Sequence, residues 1–280
     1  MNLFITGGSG FVGTYLLKNK VFLKQFKKIY CLTRSKKVKK NKKVVWIYGN
    51  LKSDLKFYFK KSHCLLHLAA HSTNKPYDNL NNCFKWNCLN SIDLINSAYK
   101  SGIKKFIITG TYYEYGFAGQ IYKTQKISAK SLCLPTSNYA LSKAFFLQIL
   151  FSWSLGKNVS IKYLRFPHVY GDGEFKNRLW SQIKENIVNE IRLDNPDFLT
   201  NFININELIK KIINHGNIKN MKKNFFEIIN VCGKTMKLTQ FVNKEKKRLK
   251  SKIKIVKLKN KKNLFKFLIP KKDKVSIKIT

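Results

Sequence analysis

The 280-residue sequence predicts an α/β fold in which a doubly wound parallel sheet is followed by a smaller C-terminal lobe. Two observations lead to this prediction. Short apolar runs alternate with longer helix-like stretches over residues 1–170, which is the pattern of repeated βαβ units. The apolar runs are continuous, as expected of strands that helices cover on both faces. Beyond this region the alternation becomes irregular, so we predict one domain over residues 1–170 and a smaller α/β lobe with a Lys-rich tail over residues 171–280.

The predicted elements follow one another along the chain at βαβ spacing. In the first domain we predict strands at 1–6, 28–32, 44–48, 64–69, 105–109 and 160–166, and helices at 11–18, 80–100 and 137–151. In the C-terminal lobe we predict shorter strands at 202–205, 227–231 and 252–258. The last of these lies in the Lys-rich tail, where apolar and basic residues alternate as in a half-exposed strand.

The charge of the chain is strongly positive. Lysine and arginine number 55 against 14 aspartate and glutamate residues, which gives a formal net charge of +41. Such a charge attracts nucleic acid, anionic lipid or phosphorylated small molecules without sequence preference. The basic residues are spread over the chain and accompany abundant Asn and Ile, as a biased composition would produce. We therefore predict no specific nucleic-acid partner.

Composition also indicates the compartment. The six cysteines include no C-x-x-C pair and have no histidine cluster beside them, which predicts reduced thiols and no metal site. No apolar run reaches the roughly 20 residues that a membrane span requires. The first strand follows the initial methionine directly, which leaves no room for a signal peptide. We therefore expect a cytoplasmic protein without a membrane span.

A glycine-rich turn joins the first predicted strand to the first predicted helix. Gly7, Gly10 and Gly13 have the spacing G-x-x-G-x-x-G. Glycines at such positions allow a tight turn, a close approach of the backbone to a pyrophosphate and close packing of the helix on the sheet. Free N–H groups and the helix dipole then favour phosphate binding. The residues expected to contact a dinucleotide here are Gly7, Gly8, Gly10, Phe11, Val12 and Gly13.

The stretch from Thr6 to Gly13 resembles the cofactor turn of the extended short-chain dehydrogenase/reductase family, also called the NAD-dependent epimerase/dehydratase family. The resemblance implies a Rossmann fold, a nicotinamide cofactor and a C-terminal lobe that binds the substrate. It extends over roughly residues 1–245. Within that range, further family-like segments imply cofactor contacts at Ala69, Ala70, Pro167 and His168.

The end of the second predicted strand indicates which nicotinamide is bound. NAD is usually held by an Asp or Glu about 20 residues past the glycine turn, whereas this chain has Thr33 followed by Arg34. An arginine can pair with a phosphate through two hydrogen bonds, which favours NADP and leaves NAD as the alternative. Asn50 and Leu51 stand where similar proteins carry an Asp-Leu pair that contacts adenine.

The catalytic residues are predicted on the helix at 137–151 and on the strand before it. Tyr139 and Lys143 share one helix face at positions i and i+4. A neighbouring ammonium lowers the pKa of a tyrosine, which can then act as general acid in a reduction or as base in an oxidation. The resemblance implies that this is the family's Tyr-Lys pair. It also implies that Thr111 bonds the reacting oxygen, with Thr109 as the second candidate.

The residues after Thr111 help to select the reaction. Dehydratases of the family carry an Asp-Glu pair there, whereas this chain has Tyr112 and Tyr113, which disfavours dehydration. The arginine that relatives use for the substrate diphosphate is Thr200 here, so Arg178 or Arg192 is expected to supply that charge. The candidate substrate contacts are Glu114, Arg178 and His168, the last also as a second acid or base.

These features predict an NADP-linked reductase of a nucleoside-diphospho-keto-deoxysugar. A close alternative is an epimerase that keeps NAD bound and moves the hydride out and back. A further enzyme of the same type would reduce a ketone or aldehyde that carries no nucleotide. A hypothesis from another class is a basic nucleic-acid-binding or regulatory protein on a Rossmann scaffold, which the charge motivates. Relatives often pair through the helices predicted here at 80–100 and 137–151, so we expect a homodimer.

Overall fold

The computed structural model describes residues 1–121, 126–258 and 266–280. In chain order its strands are β1 (Leu3–Thr6), β2 (Ile29–Thr33), β3 (Val44–Tyr48), β4 (Cys64–His67), β5 (Lys105–Thr111), β6 (Lys126–Ile127), β7 (Ser160–Phe166), β8 (His168–Tyr170), β9 (Glu190–Leu193), β10 (Leu199–Asn204), β11 (Phe225–Asn230), β12 (Lys234–Lys237), β13 (Lys254–Lys257), β14 (Phe267–Pro270) and β15 (Lys274–Lys278). Its α-helices are α1 (Phe11–Lys18), α2 (Lys20–Lys24), α3 (Lys56–Lys60), α4 (Leu80–Phe84), α5 (Asn90–Lys100), α6 (Ala118–Ile121), α7 (Asn138–Ser154), α8 (Leu179–Glu185), α9 (Ile205–His215) and α10 (Leu238–Leu249).

An eight-stranded sheet forms the centre of the fold. Its strand order is β3-β2-β1-β4-β5-β7-β11-β15, and every neighbouring pair is parallel except β11 with β15. This arrangement confirms the predicted doubly wound sheet. The strand order reverses direction between β1 and β4, and a crevice opens beyond the carboxyl ends of the strands at such a switch point.

Helices cover both faces of this sheet, and alternate residues of β1 show how the core is divided. Leu3 and Ile5 pack in one apolar cluster that includes residues of α1 and α9. Phe4, between them, packs on the opposite face in a second cluster with residues of α5 and α7. Because successive strand side chains point to opposite faces, a strand buried on both sides must be apolar at every position. This explains the continuous apolar runs of the sequence.

The chain returns to the central sheet after forming the lobe, which the predicted boundary at residue 170 does not anticipate. The strand predicted at 227–231 is β11, which pairs with β7 of the first domain. β15 then pairs with β11, and the nearby Ile279 is only 5% exposed within the core. The lobe is therefore built around a five-stranded sheet of β6, β8, β10, β12 and β14, together with the pair β9 and β13. Residues 259–265 of the predicted Lys-rich tail lie outside the described residues.

The helix predicted at 80–100 is interrupted by a π-helical turn over Lys85–Leu89. Two polar side chains explain this turn. The amide of Asn87 is engaged by the backbone of His71 and by Ser142, and the hydroxyl of Ser91 donates to the carbonyl of Trp86 at 2.9 Å. Side chains that bond a backbone carbonyl of the preceding turn compete with the regular helical pattern. The interruption therefore lies where the helix meets the candidate site.

All six cysteines are free thiols, and four of them are buried. In the part of the chain that the structure describes, no helix combines the length and the apolar character needed to cross a membrane. Within the same residues, no three His, Cys, Asp or Glu side chains gather in a way that could hold a metal ion.

Candidate active site

A cavity of about 390 Å³ opens at the carboxyl ends of the central strands, where the switch point predicts a ligand site. Almost all of the predicted site residues line it. They are Gly7, Gly10, Phe11, Val12, Gly13, Arg34, Asn50, Leu51, Ala69, Ala70, Thr111, Tyr139, Lys143, Pro167, His168 and Arg178. Among the described residues of this lining there is no Asp or Glu, whereas Arg34, Lys143 and Arg178 carry positive charge. The cavity is therefore suited to an anionic ligand.

The glycine turn has the geometry of a phosphate cradle. Gly7 has a φ of +73°, in the left-handed region that favours glycine. A Cβ atom on Gly13 would lie 2.3 Å from the carbonyl oxygen of Gly7, so a side chain there would force the helix away from the strand. Gly8 packs below the turn, where a Cβ would meet the Cys31 sulfur at 2.3 Å. These contacts explain why this turn requires glycine. The start of α1 lines the cavity.

The other end of the cavity fits an adenosine moiety. The Thr33 hydroxyl donates to the Ser9 hydroxyl at 2.9 Å and so ties the end of β2 to the glycine turn. Arg34 follows Thr33, is exposed and lines the cavity. Asn50 and Leu51, which follow β3, line the cavity as well. The residues present therefore fit a nicotinamide dinucleotide.

Tyr139 and Lys143 project from the first turns of α7 into the cavity. Ser137 begins this helix and accepts a hydrogen bond from the N–H of Ala140, which fixes where the helix starts. Tyr139 is 9% exposed and Lys143 only 2% exposed. Thr111 lies at the end of β5, where its hydroxyl accepts from the N–H of Tyr113 at 3.3 Å. The structure thus brings the three predicted catalytic residues to one end of the cavity.

Burial governs the pKa values of this group. Desolvation raises the pKa of Tyr139, and the charge of Glu114 raises it further. This is opposite to the lowering by Lys143 that the sequence suggested, because the desolvation of the buried phenol dominates in the protein without ligand. Burial also lowers the pKa of Lys143 to about 8, against an opposing effect of Glu114. Tyr139 is therefore a neutral phenol at neutral pH, with a hydroxyl that can donate a hydrogen bond.

Glu114 does not reach the cavity, which corrects its expected role as a substrate contact. Its side chain is fully buried, and one carboxylate oxygen accepts from Arg165 Nε at 2.8 Å. The other oxygen accepts from the N–H of Thr111 at 2.7 Å and from the Tyr163 hydroxyl at 2.8 Å. A buried carboxylate with this many donors is satisfied by the protein itself. Glu114 therefore positions Thr111 from beneath the site.

Arg165 extends the same network toward the lobe. Its guanidinium donates to the Tyr115 hydroxyl at 2.6 Å and to the Cys133 sulfur at 3.0 Å. The Tyr115 hydroxyl in turn donates to Asn230 at the end of β11. Gly110 makes room for this network, since a Cβ there would lie 2.5 Å from Glu114 and 2.2 Å from the Tyr163 ring. The ends of β5, β7 and β11 are thereby held together.

The opposite wall of the cavity carries His168, Tyr113 and Arg178. The Tyr113 hydroxyl and His168 Nδ1 are 3.3 Å apart. Burial, with a smaller effect of Arg178, lowers the pKa of His168 to about 3, so its imidazole is neutral at physiological pH. His168 can therefore give or accept a hydrogen bond but is not a charged acid. Arg192, the other candidate for the substrate phosphate, is exposed and pairs with Glu190 in the lobe.

Sequence reasoning missed the segment that covers α7. The ring of Tyr77 stacks on that of Tyr139, with centroids 6.0 Å apart and planes inclined by 16°. His71 lines the cavity, and its Nε2 lies 2.7 Å from Asp78 Oδ2. The available signal was a cluster of chemically active residues, His, Tyr and Asp, directly after the cofactor-like stretch that ends at Ala70.

Comparison with known proteins identifies the family. The model of the NAD-dependent epimerase/dehydratase family matches residues 3–208. The chain belongs to this family, as its motifs predicted, and is an enzyme of the extended short-chain dehydrogenase/reductase type. It is also similar to dTDP-6-deoxy-L-talose 4-dehydrogenase (NAD(+)) of Aggregatibacter actinomycetemcomitans, with 26% identity over 227 residues, which are 76% of this chain and 78% of the relative.

Solved structures share the fold. UDP-N-acetylglucosamine 4-epimerase from Methanobrevibacter ruminantium M1, in complex with UDP-N-acetylmuramic acid, superimposes with a TM-score of 0.81 at 21% identity, over 96% of this chain and 89% of that one. dTDP-glucose 4,6-dehydratase from Bacillus anthracis str. Ames, in complex with NAD, superimposes with a TM-score of 0.78 at 17% identity, over 97% and 88%. The Rossmann fold predicted from the sequence is thereby confirmed.

The buried ammonium of Lys143 gives a prediction about stability. Because its folded-state pKa of about 8 lies below the unfolded value, the unfolded chain binds more protons between about pH 8 and pH 10. The cost of burying the charge is therefore full below pH 8 and declines as the pH rises. We expect Lys143→Met to raise the free energy of unfolding by about 1–3 kcal/mol at pH 7 and by less at pH 10. Urea unfolding at both pH values measures this.

The matched control is Lys130→Met, which replaces an exposed lysine outside the cavity and should change stability by less than about 0.5 kcal/mol. A Lys143→Met protein no more stable than wild type at pH 7 would contradict the prediction.

Proposed function

We propose that this protein is a nicotinamide-dependent oxidoreductase that reduces a keto group on the sugar of a nucleoside-diphospho-deoxysugar, with NADP as its preferred cofactor. One observation supports the chemistry above all. Thr111, Tyr139 and Lys143 line the same cavity as the glycine turn that precedes α1. A substrate carbonyl held between these residues would lie within the same cavity as the dinucleotide.

Each polar residue of the site has a role in the proposed reaction. The hydroxyls of Thr111 and Tyr139 hydrogen-bond the carbonyl oxygen of the substrate and orient it. When bound in the cavity, a nicotinamide would supply the hydride that reduces the carbonyl carbon. Tyr139 gives its proton to the oxygen as the negative charge develops there. The ammonium of Lys143 then stabilises the phenolate that remains, because an opposite charge nearby favours the ionised form. In the oxidising direction the same phenolate accepts the proton.

Dehydration of the sugar receives no support from the lining of the cavity. Eliminating water requires an acid to protonate the leaving hydroxyl, and the described lining contains no carboxyl group. The first position of the dehydratase acid pair is Tyr112, whose hydroxyl donates to the carbonyl of Val231 at 2.5 Å. The second is Tyr113, whose pKa burial raises above its ordinary value. Neither residue can serve as an acid of carboxyl strength.

Charge and similarity suggest the substrate class. Arg178 lines the cavity and is partly buried, so it is placed to pair with a phosphate of a nucleoside diphosphate. The 26% identical relative is named for the dehydrogenation of dTDP-6-deoxy-L-talose at position 4. We infer that the keto group reduced by this protein is likewise at position 4 of a 6-deoxysugar.

The cofactor preference follows from the end of β2. Thr33 occupies the position of the usual carboxylate and donates to Ser9, so no negative charge opposes a 2′-phosphate there. The exposed guanidinium of Arg34 follows it along the cavity. NAD is the alternative, since the 26% identical relative is named for NAD(+).

We also propose that the protein forms a homodimer through the outer face of α7 and the π-helical turn at Lys85–Leu89. In a chain of which 25% of residues are charged, the 17-residue helix α7 contains a single charged residue, Lys143, and that residue is buried. Its outer face instead exposes Phe145 by 42% and Ile149 by 36%, beside Leu89 at 55%. An uncharged apolar face on so basic a surface is typical of contact with a second copy.

The catalytic assignment predicts that Tyr139→Phe lowers kcat by about 10²- to 10⁴-fold, because the hydroxyl proton is lost. Oxidation of dTDP-6-deoxy-L-talose, and reduction of its 4-keto form, would be followed by nicotinamide absorbance. The dissociation constant for the dinucleotide should stay within about two-fold, since the ring remains. Tyr48→Phe, at an exposed tyrosine of β3, is the control and should leave kcat unchanged. Full activity of Tyr139→Phe would refute the assignment.

The cofactor assignment predicts that Arg34→Ala weakens NADPH binding by about 10-fold, through loss of the charge-assisted pair, and leaves NADH binding nearly unchanged. Nicotinamide fluorescence titrations in moderate salt would measure both constants. Arg192→Ala removes an equal charge from the lobe and controls for the general field of the protein. Equal affinity of the wild type for both cofactors, or NAD retained on purification, would refute the NADP preference and favour an epimerase.

The dimer predicts that Phe145→Glu yields a monomer, because it places a charge in the middle of the apolar face. Sedimentation velocity at several protein concentrations measures the mass. Phe57→Glu alters a phenylalanine on α3 that is 61% exposed and lies outside this face, and should leave the dimer intact. A monomeric wild type at high concentration would contradict the proposal.

A further inference from the structure

A histidine and an aspartate form a pair at the rim of the cavity that the proposed reaction does not use. His71 lines the cavity and its Nε2 lies 2.7 Å from Asp78 Oδ2. Their side chains are 29% and 34% exposed, so the pair has access both to the cavity and to solvent. Histidine is a side chain that enzymes commonly use for proton transfer.

The carboxylate of Asp78 is held in one orientation and fixes the imidazole. Its Oδ1 atom accepts from the N–H of Asn79 at 2.7 Å and from the amide of Asn82 at 3.3 Å. The bond to His71, together with these donors, lowers the pKa of Asp78, which stays ionised at neutral pH. With Nε2–H directed to Asp78, the Nδ1 atom of His71 has no hydrogen-bond partner among the described residues. This atom is therefore available for a further hydrogen bond.

Three contacts tie this pair to the catalytic helix. Asn87 accepts the N–H of His71 at 2.6 Å and donates to the hydroxyl of Ser142, the neighbour of Lys143. The carbonyl of Asp78 accepts from the side chain of Asn138, the neighbour of Tyr139, at 3.0 Å. Between them, Tyr77 stacks on the ring of Tyr139. The pair is therefore held at a fixed position beside the proton-donating end of α7.

The other groups near the site cannot take this role. Burial lowers the pKa of both His67 and His168 to about 3, so neither imidazole carries a proton at neutral pH. The described lining of the cavity contains no carboxyl group. Tyr139 and Lys143 are themselves almost entirely buried, and they contact solvent only through the cavity. A proton that Tyr139 loses in a turnover must nevertheless be replaced from solvent.

We propose that His71 and Asp78 form the relay that carries protons between solvent and Tyr139. This inference rests on the proposed oxidoreductase function. In the reducing direction the phenol O–H bond of Tyr139 breaks as the substrate oxygen gains the proton. The phenolate then regains a proton, through intervening water, from the protonated imidazole of His71, whose N–H bond breaks. His71 is reprotonated from solvent while the Asp78 carboxylate balances its positive charge. In the oxidising direction each transfer runs backwards.

The experiment replaces the imidazole and then restores it in solution. His71→Ala keeps the backbone bond to Asn87 and removes a partly exposed ring, so the fold should be retained. We expect kcat for dTDP-6-deoxy-L-talose oxidation to fall by about 10- to 100-fold with little change in KM, since proton transfer by a positioned side chain contributes at least that much. Added imidazole should restore most of the rate. The solvent deuterium isotope effect on kcat should rise, because proton transfer becomes limiting.

Two further variants make the result specific. Asp78→Asn keeps the neighbouring ring but removes the balancing charge, and should show a smaller loss of kcat that imidazole does not restore. His63→Ala removes an exposed histidine before β4 and should behave as wild type in every measurement.

The outcomes separate the relay from the reaction itself. A wild type that turns over, with a His71→Ala variant within about two-fold of it, overturns the relay alone. A slow His71→Ala variant that imidazole does not accelerate, with an unchanged isotope effect, also overturns it, because the residue would then be structural. A wild type without activity on the nucleotide sugar in either direction, with either cofactor, refutes the proposed function and the relay together.

Discussion

The fold of the site depends on the buried ion pair between Glu114 and Arg165. Two charges taken out of water destabilise a protein by several kcal/mol each unless they are paired and fully hydrogen-bonded. That requirement explains the surroundings of the pair. Thr111 and Tyr163 donate hydrogen bonds to Glu114, and Tyr115 and Cys133 accept hydrogen bonds from Arg165. Because these partners come from β5, from β7 and from the segment between them, satisfying the pair also sets where each strand ends. The buried Glu114–Arg165 pair therefore fixes the part of the cavity that contains Thr111.

Burial, rather than the local charge pattern, decides the protonation of the site. The spacing of Tyr139 and Lys143 suggests that the ammonium acidifies the phenol, but the phenol is almost entirely removed from water and its pKa rises. The same desolvation lowers the pKa of Lys143 and of His168. Desolvation penalises whichever form is charged, so it moves acids and bases in opposite directions. The site therefore holds a neutral phenol together with an amine that loses its proton more easily than an ordinary lysine.

The features predicted correctly from the sequence are those that depend on residues close together in the chain. The glycine turn, the Tyr-Lys pair one helical turn apart and the continuous apolar strands each follow from a few neighbouring residues, and the structure reproduces them within a few positions. The return of β11 to β7, the function of Glu114 beneath the site and the pairing of His71 with Asp78 depend on how distant segments meet. Lys162 and Arg165 offered one hint, since charges inside a buried strand need partners, but their spacing does not identify which acids.

The outer strand of the large sheet shows one function of the many lysines in the chain. β15 borders the sheet, and its exposed positions are Lys274, Ser276 and Lys278, which alternate with half-buried Val275 and Ile277. A border strand has unpaired backbone groups that invite a strand from another molecule, and like-charged lysines along it repel such an approach. The lysines of β15 thus disfavour the addition of a strand from another molecule at this edge of the sheet. The same charges would make solubility depend on salt, which screens that repulsion.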